Sequence, residues 1–451
     1  MPSQGTIGDR VRGLRLSRRM SQAQLAGPDL SDSYVSLIES GKRTPTPVVA
    51  RLLAERLGCT TEFLLHGIEP RQRIDTELGL RHAELELQHG DPSVAADRFG
   101  EIVKVAGEEN AMLAAHARLG RARSLEAQGK VGPAVEAFER LRREAAAHPE
   151  RLADLPLTVA LSRCYHRAGD TLRARDLAAL ALSQMHHLAL AQGEIAVELA
   201  ASLVETEAGR PQSPGLSYVR HVLTVNGVPS VVNRTSEIHS LWEASVAAAE
   251  GEDSALAVRL ADDAIATGRP ARMAFRLAGI ALEWARFAVS LGEASFDEAH
   301  GLATTASEVF SAFPEKVGEH AAGLVVLARL RLACKDPDGA AVLATSALDM
   351  LAGRAGPVAA TGHLMRAEAA LARGGGEVTA ILGSARDLLN VFRAESSPPD
   401  RESARVWREL GDLYGRVGAG EEQANAYRRA LEAAGVRDAM VGMTVDSALV
   451  R

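Results

Sequence analysis

One stretch, Ser21 to Thr46 (SQAQLAGPDLSDSYVSLIESGKRTPT), limits more than any other what this chain can fold into. It reads as two short helices joined by a tight turn and followed by a basic loop. Ser21 is placed to cap the first helix, and Gln24 three residues later completes a capping box. Leu25 and Ala26 supply an apolar face. Gly27-Pro28 then breaks the helix, because proline has no N–H and a fixed φ. Ser31 is a natural cap for a second helix, DSYVSLIES, with Val35 and Ile38 as its buried positions and Gly41 as its left-handed stop. Asp32, Ser33, Ser36 and Leu37 are left on its outer face.

The flanking residues complete a small helical domain. Ile7, Val11 and Leu14 fall at helical spacing and predict an inward-facing helix from Ile7 to Arg18. Thr46-Pro47 reads as a cap plus first-turn proline for a fourth helix, with Val48, Leu52 and Leu57 expected to close the core. Thr60 or Thr61 starts a last turn plugged by Phe63 and Leu64, and His66 to Pro70 looks like a linker. The net charge of −7 argues against nucleic acid until it is divided along the chain. Residues 1–66 hold nine Lys/Arg against six Asp/Glu, a surplus of +3, which leaves −10 on the remainder. A basic head on an acidic body suits DNA contact through the head alone. A surplus of three is weak for one head, since affinity rises with each phosphate neutralised, so a dimer presenting two heads is expected.

From about Arg71 nearly every segment is helical. Patterns of about 12 to 16 residues alternate with breaks such as Gly90-Asp91-Pro92, Gly169-Asp170 and Asp336-Pro337-Asp338-Gly339. The only β-branched cluster, Val219 to Val232, is interrupted by Asn226-Gly227 and Pro229. A helix–turn–helix-pair unit recurs. Its clearest copy is RVWRELGDLYGRVGAGEEQANAYRRALEAAG, where Trp407, Leu410-Gly411, Tyr414, Gly418, Tyr427, Ala430 and Leu431 fall on the tetratricopeptide (TPR) template and Gln423 stands where a small residue is usual. A second copy carries Leu119-Gly120, Gly129, Ala134 and Phe138, and a third Tyr165, Gly169 and Ala174. About eight to ten such pairs are expected between residues 71 and 435. Trp242, Trp284 and Trp407 are expected in the core between repeats.

The head resembles the DNA-binding helix-turn-helix of the XRE/Cro/C1-repressor family, on the motifs IGDRVRGLR, MSQAQLA, SDSYVSLIESGKRTP and VVARLLAERLG. The resemblance implies that the helix from Asp32 to Glu39 enters the major groove. It implies backbone or first-base contact by Gln22, base or phosphate contact by Ser33 and Ser36, and a grip on the backbone by Lys42 and Arg43. Ser31, Asp32, Tyr34 and Leu37 complete the expected DNA-facing set, and Arg15 with Glu39 matches the family's structural ion pair. Two departures stand out. The connection Gly27-Pro28-Asp29-Leu30 is about one residue short of the family pattern and lacks its glycine before the recognition helix. Asp32 occupies a position where relatives carry Arg, Lys or Gln; it reads either as a first-turn acid favouring the helix or as an acceptor for a cytosine amino group.

The whole layout is similar to peptide-responsive (RRNPP-like) bacterial regulators that join such a head to a TPR body. The resulting expectation is an all-α chain: a five-helix lambda-repressor-like domain at 1–66, a linker at 67–74, a TPR-like α-solenoid forming a right-handed superhelix at 75–437, and a tail at 438–451. The expected function is a homodimeric transcription regulator of a double-stranded DNA operator, tuned by a signalling peptide or small-molecule effector. The alternative is a TPR scaffold that docks protein partners. Template positions put Arg121, Arg163, His166, Arg167, Arg405, Arg408, Asp412 and Arg416 toward a groove, with Asn226 and Asn233 nearby; they read either as solvated faces or as forks for an anionic group. No phosphate loop, nucleophile elbow or HExxH motif occurs, so neither enzymatic activity nor a cofactor is expected. His186-His187 point apart on a helix and predict no metal site. Cys59, Cys164 and Cys334 lie far apart in apolar surroundings and are expected as buried free thiols. With no signal pattern or membrane-length apolar run, a cytoplasmic location is expected.

Overall fold

The computed structural model describes residues 6–66, 70–106, 110–188, 190–207, 213–291, 296–375, 377–395 and 400–435. Among them are twenty-two α-helices and no strand. The chain divides into two compact units, residues 1–170 with 234–269, and residues 171–233 with 270–451.

The first unit begins with the head: α1 (Ile7–Ser17), α2 (Gln22–Ala26), α3 (Asp32–Glu39), α4 (Pro47–Arg56) and α5 (Thr61–His66). Its core is Val11, Leu25, Val35, Ile38, Leu53, Leu57 and Leu64. Val48 is not part of it. With Pro47 opening α4, the inward phase falls on Ala50, Leu53 and Ala54, and Val48 is left 76% exposed. Where α1 crosses α3, a Cβ on Gly8 would stand 2.4 Å from the Ile38 carbonyl oxygen, so only glycine fits. The turn after α2 is made by Gly27 at φ 52°, which supplies the left-handed residue that the shortened connection seemed to lack. Three arginines tie helix ends together: Arg10 donates to Leu64 O (3.0 Å) and Leu65 O (2.6 Å), Arg18 to Gly58 O (3.1 Å), and Arg56 to Leu25 O (3.1 Å), Ala26 O and the Asp29 carboxylate.

The span expected as a linker is helical from Pro70, where α6 (Pro70–His89) starts. Then follow α7 (Pro92–Ala106), α8 (Ala111–Ala127), α9 (Val131–Ala147) and α10 (Asp154–Ala168). Small residues let these helices approach. Ala83, Ala95 and Ala117 surround Phe99, whose ring occupies the space that a side chain on Gly120 would need. The same unit also contains α14 (Thr235–Glu250) and the first half of α15 (Ser254–Leu291). They pack on α6: Leu78 and Leu85 share a core with Ile238, Ala257, Ala261 and Ala264. Arg81 pairs with Asp262 at 2.6 Å, and His82 meets Ser245 Oγ at 2.9 Å. Burial lowers the His82 pKa, so the ring is neutral in this contact.

The second unit holds α11 (Thr171–His187), α12 (Glu194–Thr206), α13 (Pro214–Asn226), the rest of α15, α16 (Phe296–Ser311), α17 (Val317–Ala333), α18 (Pro337–Leu351), α19 (Pro357–Ala372), α20 (Val378–Glu395), α21 (Arg401–Arg416) and α22 (Gly420–Ala433). The β-branched stretch from Val219 is helical through Asn226. An alanine-rich core runs through α17 to α22 and ends on Trp407, Leu410 and Tyr414. In the last pair Gly411 makes room for the Tyr427 ring. Gln423, the departure from the repeat template, lies over Gly415 and donates to Tyr427 Oη (3.3 Å). The missing side chain at 415 provides the space that a small residue at 423 would otherwise provide.

Trp284 and Trp407 are buried as expected, whereas Trp242 is half-buried and stacks on His239. Of the three free cysteines, Cys164 is buried and its thiol is pushed up to about 12, Cys59 is half-buried, and Cys334 is exposed rather than buried. No helix among the described residues is long and apolar enough to cross a membrane. The tail expected after residue 437 lies outside the described residues.

Candidate nucleic-acid interface

The recognition helix is positioned from its buried side. Val35 and Ile38 anchor α3 in the core, and Glu39 receives a two-pronged bond from Arg15: Nε to Oε1 at 2.5 Å and Nη2 to Oε2 at 2.9 Å. Arg15 also donates to Met20 O (2.9 Å), which ties α1, α3 and the start of α2 together. Burial raises the Glu39 carboxyl, but the bonds from Arg15 and Gln22 outweigh it and leave its pKa below the ordinary value. The bond to Glu39 raises the Arg15 pKa, so this pair is charged at neutral pH.

At the front of α3, Ser31 accepts from Tyr34 N (3.1 Å), and the Asp32 carboxylate accepts from Ser33 N (2.9 Å). Both are exposed and serve the helix N-terminus. The outer face then presents Asp32, Ser33, Ser36 and Leu37 to solvent. At the C-terminal end the Leu37 carbonyl accepts from both Lys42 N (3.0 Å) and Arg43 N (3.2 Å). This fold-back sets the two exposed cations directly beyond α3. Arg43 lies over the Tyr34 ring, 4.7 Å from its centroid, so the half-buried Tyr34 supports a cation rather than reaching outward itself. Gln22 is half-buried, with its amide donating to Glu39 Oε2 (2.8 Å).

Of the nine basic residues in the head, Arg10, Arg15, Arg18 and Arg56 hold backbone carbonyls or carboxylates of the head itself. Their sequence gave no sign of this, since charge counting does not reveal an acceptor at a helix end. Arg12, Arg19, Lys42, Arg43 and Arg51 remain exposed.

The residues expected to line a ligand groove are not brought together. Arg121, Arg163, His166 and Arg167 belong to the first unit, and the other six to the second. Arg163 and Arg167 both bind the buried Glu126, Arg121 is exposed, and His166 is half-buried. Asn226 donates to Ala191 O (2.9 Å) and Val222 O (2.8 Å), and Asn233 to Ala312 O (3.4 Å). On α21, Arg405 pairs with Glu402 (3.4 Å), Asp412 accepts from Tyr427 Oη (2.7 Å), Arg416 lies 3.9 Å from Glu368, and Arg408 is exposed. The cavity beside Arg286, Arg329, Glu402 and Arg405 has a volume of about 20 Å³. That is room for about one water, so the chain's own carboxylates already occupy the place expected for an anion.

Residues 11–64 match the family model described as helix-turn-helix. The head is a helix-turn-helix domain of the XRE type, and the helical pairs behind it are TPR-like. Among solved structures the chain is similar to the apo form of the quorum sensor NprR from Bacillus thuringiensis, at 10% identity over 95% of this chain and 99% of that one, with a TM-score of 0.47. It is also similar to Bacillus thuringiensis PlcR in complex with the peptide PapR7 and DNA (13% identity, 70% and 98% covered, TM-score 0.34). A third is the apo form of the competence regulator ComR from Streptococcus vestibularis (14% identity, 82% and 98% covered, TM-score 0.34). No curated protein matches the chain.

Proposed function

We propose that the chain is a sequence-specific DNA-binding transcription regulator that acts as a homodimer. Its α3 enters the major groove, and its helical pairs sense a peptide or small-molecule signal that modulates operator binding. The observation that carries the DNA reading is the division of labour on α3. One face is locked by the core and the Arg15–Glu39 pair. The opposite face leaves Asp32, Ser33, Ser36 and Leu37 uncovered, with Lys42 and Arg43 immediately beyond. Short polar side chains flanked by cations suit a helix that reads base edges while the loop holds phosphate.

Two such helices bind half-sites about 34 Å apart or a multiple of it. A signal acts only by binding the DNA-competent and incompetent dimers with different affinity. The test is a gel shift of the full chain on its own promoter region across a salt series. Ser36→Ala alters base preference. Lys42→Ala weakens all sequences alike and reduces the salt slope by about 1. Retention that neither substitution changes would sink the assignment, and mass spectrometry of the co-purified protein identifies an effector.

A further inference from the structure

The largest opening in the second unit lies in the last helical pair. A cavity of about 360 Å³ is lined by Arg386 and Asn390 from α20, Trp407 and Tyr414 from α21, and Arg428 and Arg429 from α22. Its volume sits at the lower end of the range for small-molecule sites. Trp407 is 3% exposed and Tyr414 2%. Their rings belong to the core that closes the repeat array. Neither the Trp407 Nε1–H nor the Tyr414 hydroxyl has a hydrogen-bond partner among the described residues, although polar groups buried this deeply are as a rule satisfied. Two donors therefore stand unused at one opening.

The charges around it are unequal. Arg429 pairs with Glu432 (3.0 Å), and Arg386 with Asp387 (2.9 Å), which is not part of the lining. Glu422 is the second acid at the cavity. Arg428 donates only to the neutral Asn425 Oδ1 (3.2 Å) and has no carboxylate partner among the described residues. Three guanidiniums thus face two carboxylates, a surplus of one, which matches a single negative charge better than the double charge of a phosphate monoester. The indole and phenol rings with Ala426 supply an apolar wall. An indole N–H only donates, and a guanidinium is a planar fork matched to a carboxylate.

We propose that this cavity binds a small monocarboxylate carried on an apolar or aromatic body, held by Arg428 and by the Trp407 and Tyr414 donors. The site is separate from the DNA-reading head and does not rest on the head's function. Ligand-observed NMR on the full chain tests it with phenylacetate as the probe and phenylacetamide as the neutral isostere. Saturable phenylacetate binding is expected with Kd on the order of 1 mM. Arg428→Ala weakens it about fivefold or more, and Tyr414→Phe, which removes only the hydroxyl, about threefold. Circular dichroism of both variants should match that of the parent chain. N-acetyl-Ala-Phe separates the two sources of such a carboxylate: tighter binding than phenylacetate assigns the site to a peptide end, weaker binding to a free acid, and both uphold the carboxylate reading. No saturable binding, equal binding of the amide, or indifference to both substitutions in a folded chain overturns it.

Discussion

The Arg15–Glu39 pair shows how one buried contact sets an exposed one. Glu39 accepts from both Arg15 and Gln22, so the outer face of α3 is held from beneath by charge as well as by packing. Glu39→Gln leaves the Arg15 guanidinium buried without an anion and should destabilise the head by about 3 kcal/mol. The check is amide exchange in α1 and α3 of the full chain. The pH dependence has a fixed sign. The folded carboxyl titrates below the ordinary value of 4.5, so as pH falls the unfolded chain takes up the proton first. Stability from the pair is complete above that value and is lost as pH falls through the lower, folded one. Glu39→Gln should flatten the acid limb of head stability; an unchanged limb would remove the pair as its cause.

Elements were more legible in the sequence than their contacts. The caps at Ser21, Ser31 and Thr46 are local, i to i+3 signals, and each forms as its residues imply. Val48 was misplaced because a proline at the first position of α4 sets the helical phase one residue away from the hydrophobicity pattern. The groove arginines were misassigned for a different reason. A template gives the direction of a side chain but not whether a carboxylate such as Glu126 waits for it on the neighbouring helix. Gly8 is another contact that the pattern hides, since its role depends on the Ile38 carbonyl 30 residues later. Gly8→Ala forces α1 away from α3 and should cost about 1–3 kcal/mol. It should weaken operator binding without changing base preference, a combination that comparison of gel shifts on ranked sites would detect. Altered preference would instead make Gly8 part of the reading surface.

At the scale of the whole molecule, the first unit does not follow the neighbour-to-neighbour rule of a simple repeat array. Leu78 and Leu85 of α6 are covered by residues of α14 and α15, far along the chain. Ala261→Glu places a charge in that contact and should loosen α6. Faster amide exchange across residues 75–89, with α18 unaffected, is the expected result; protection unchanged in α6 would dissociate the two segments. The arrangement also sets a schedule for synthesis. The head and α6 leave the ribosome early, but Ala264 follows His89 by 175 residues. At about 5–20 residues per second this is a wait of roughly 10–35 s. During that interval the nascent chain carries a completed head and an α6 whose oily flank has nothing of its own to rest on, a window in which a chaperone, or a second chain on the same message, meets it first.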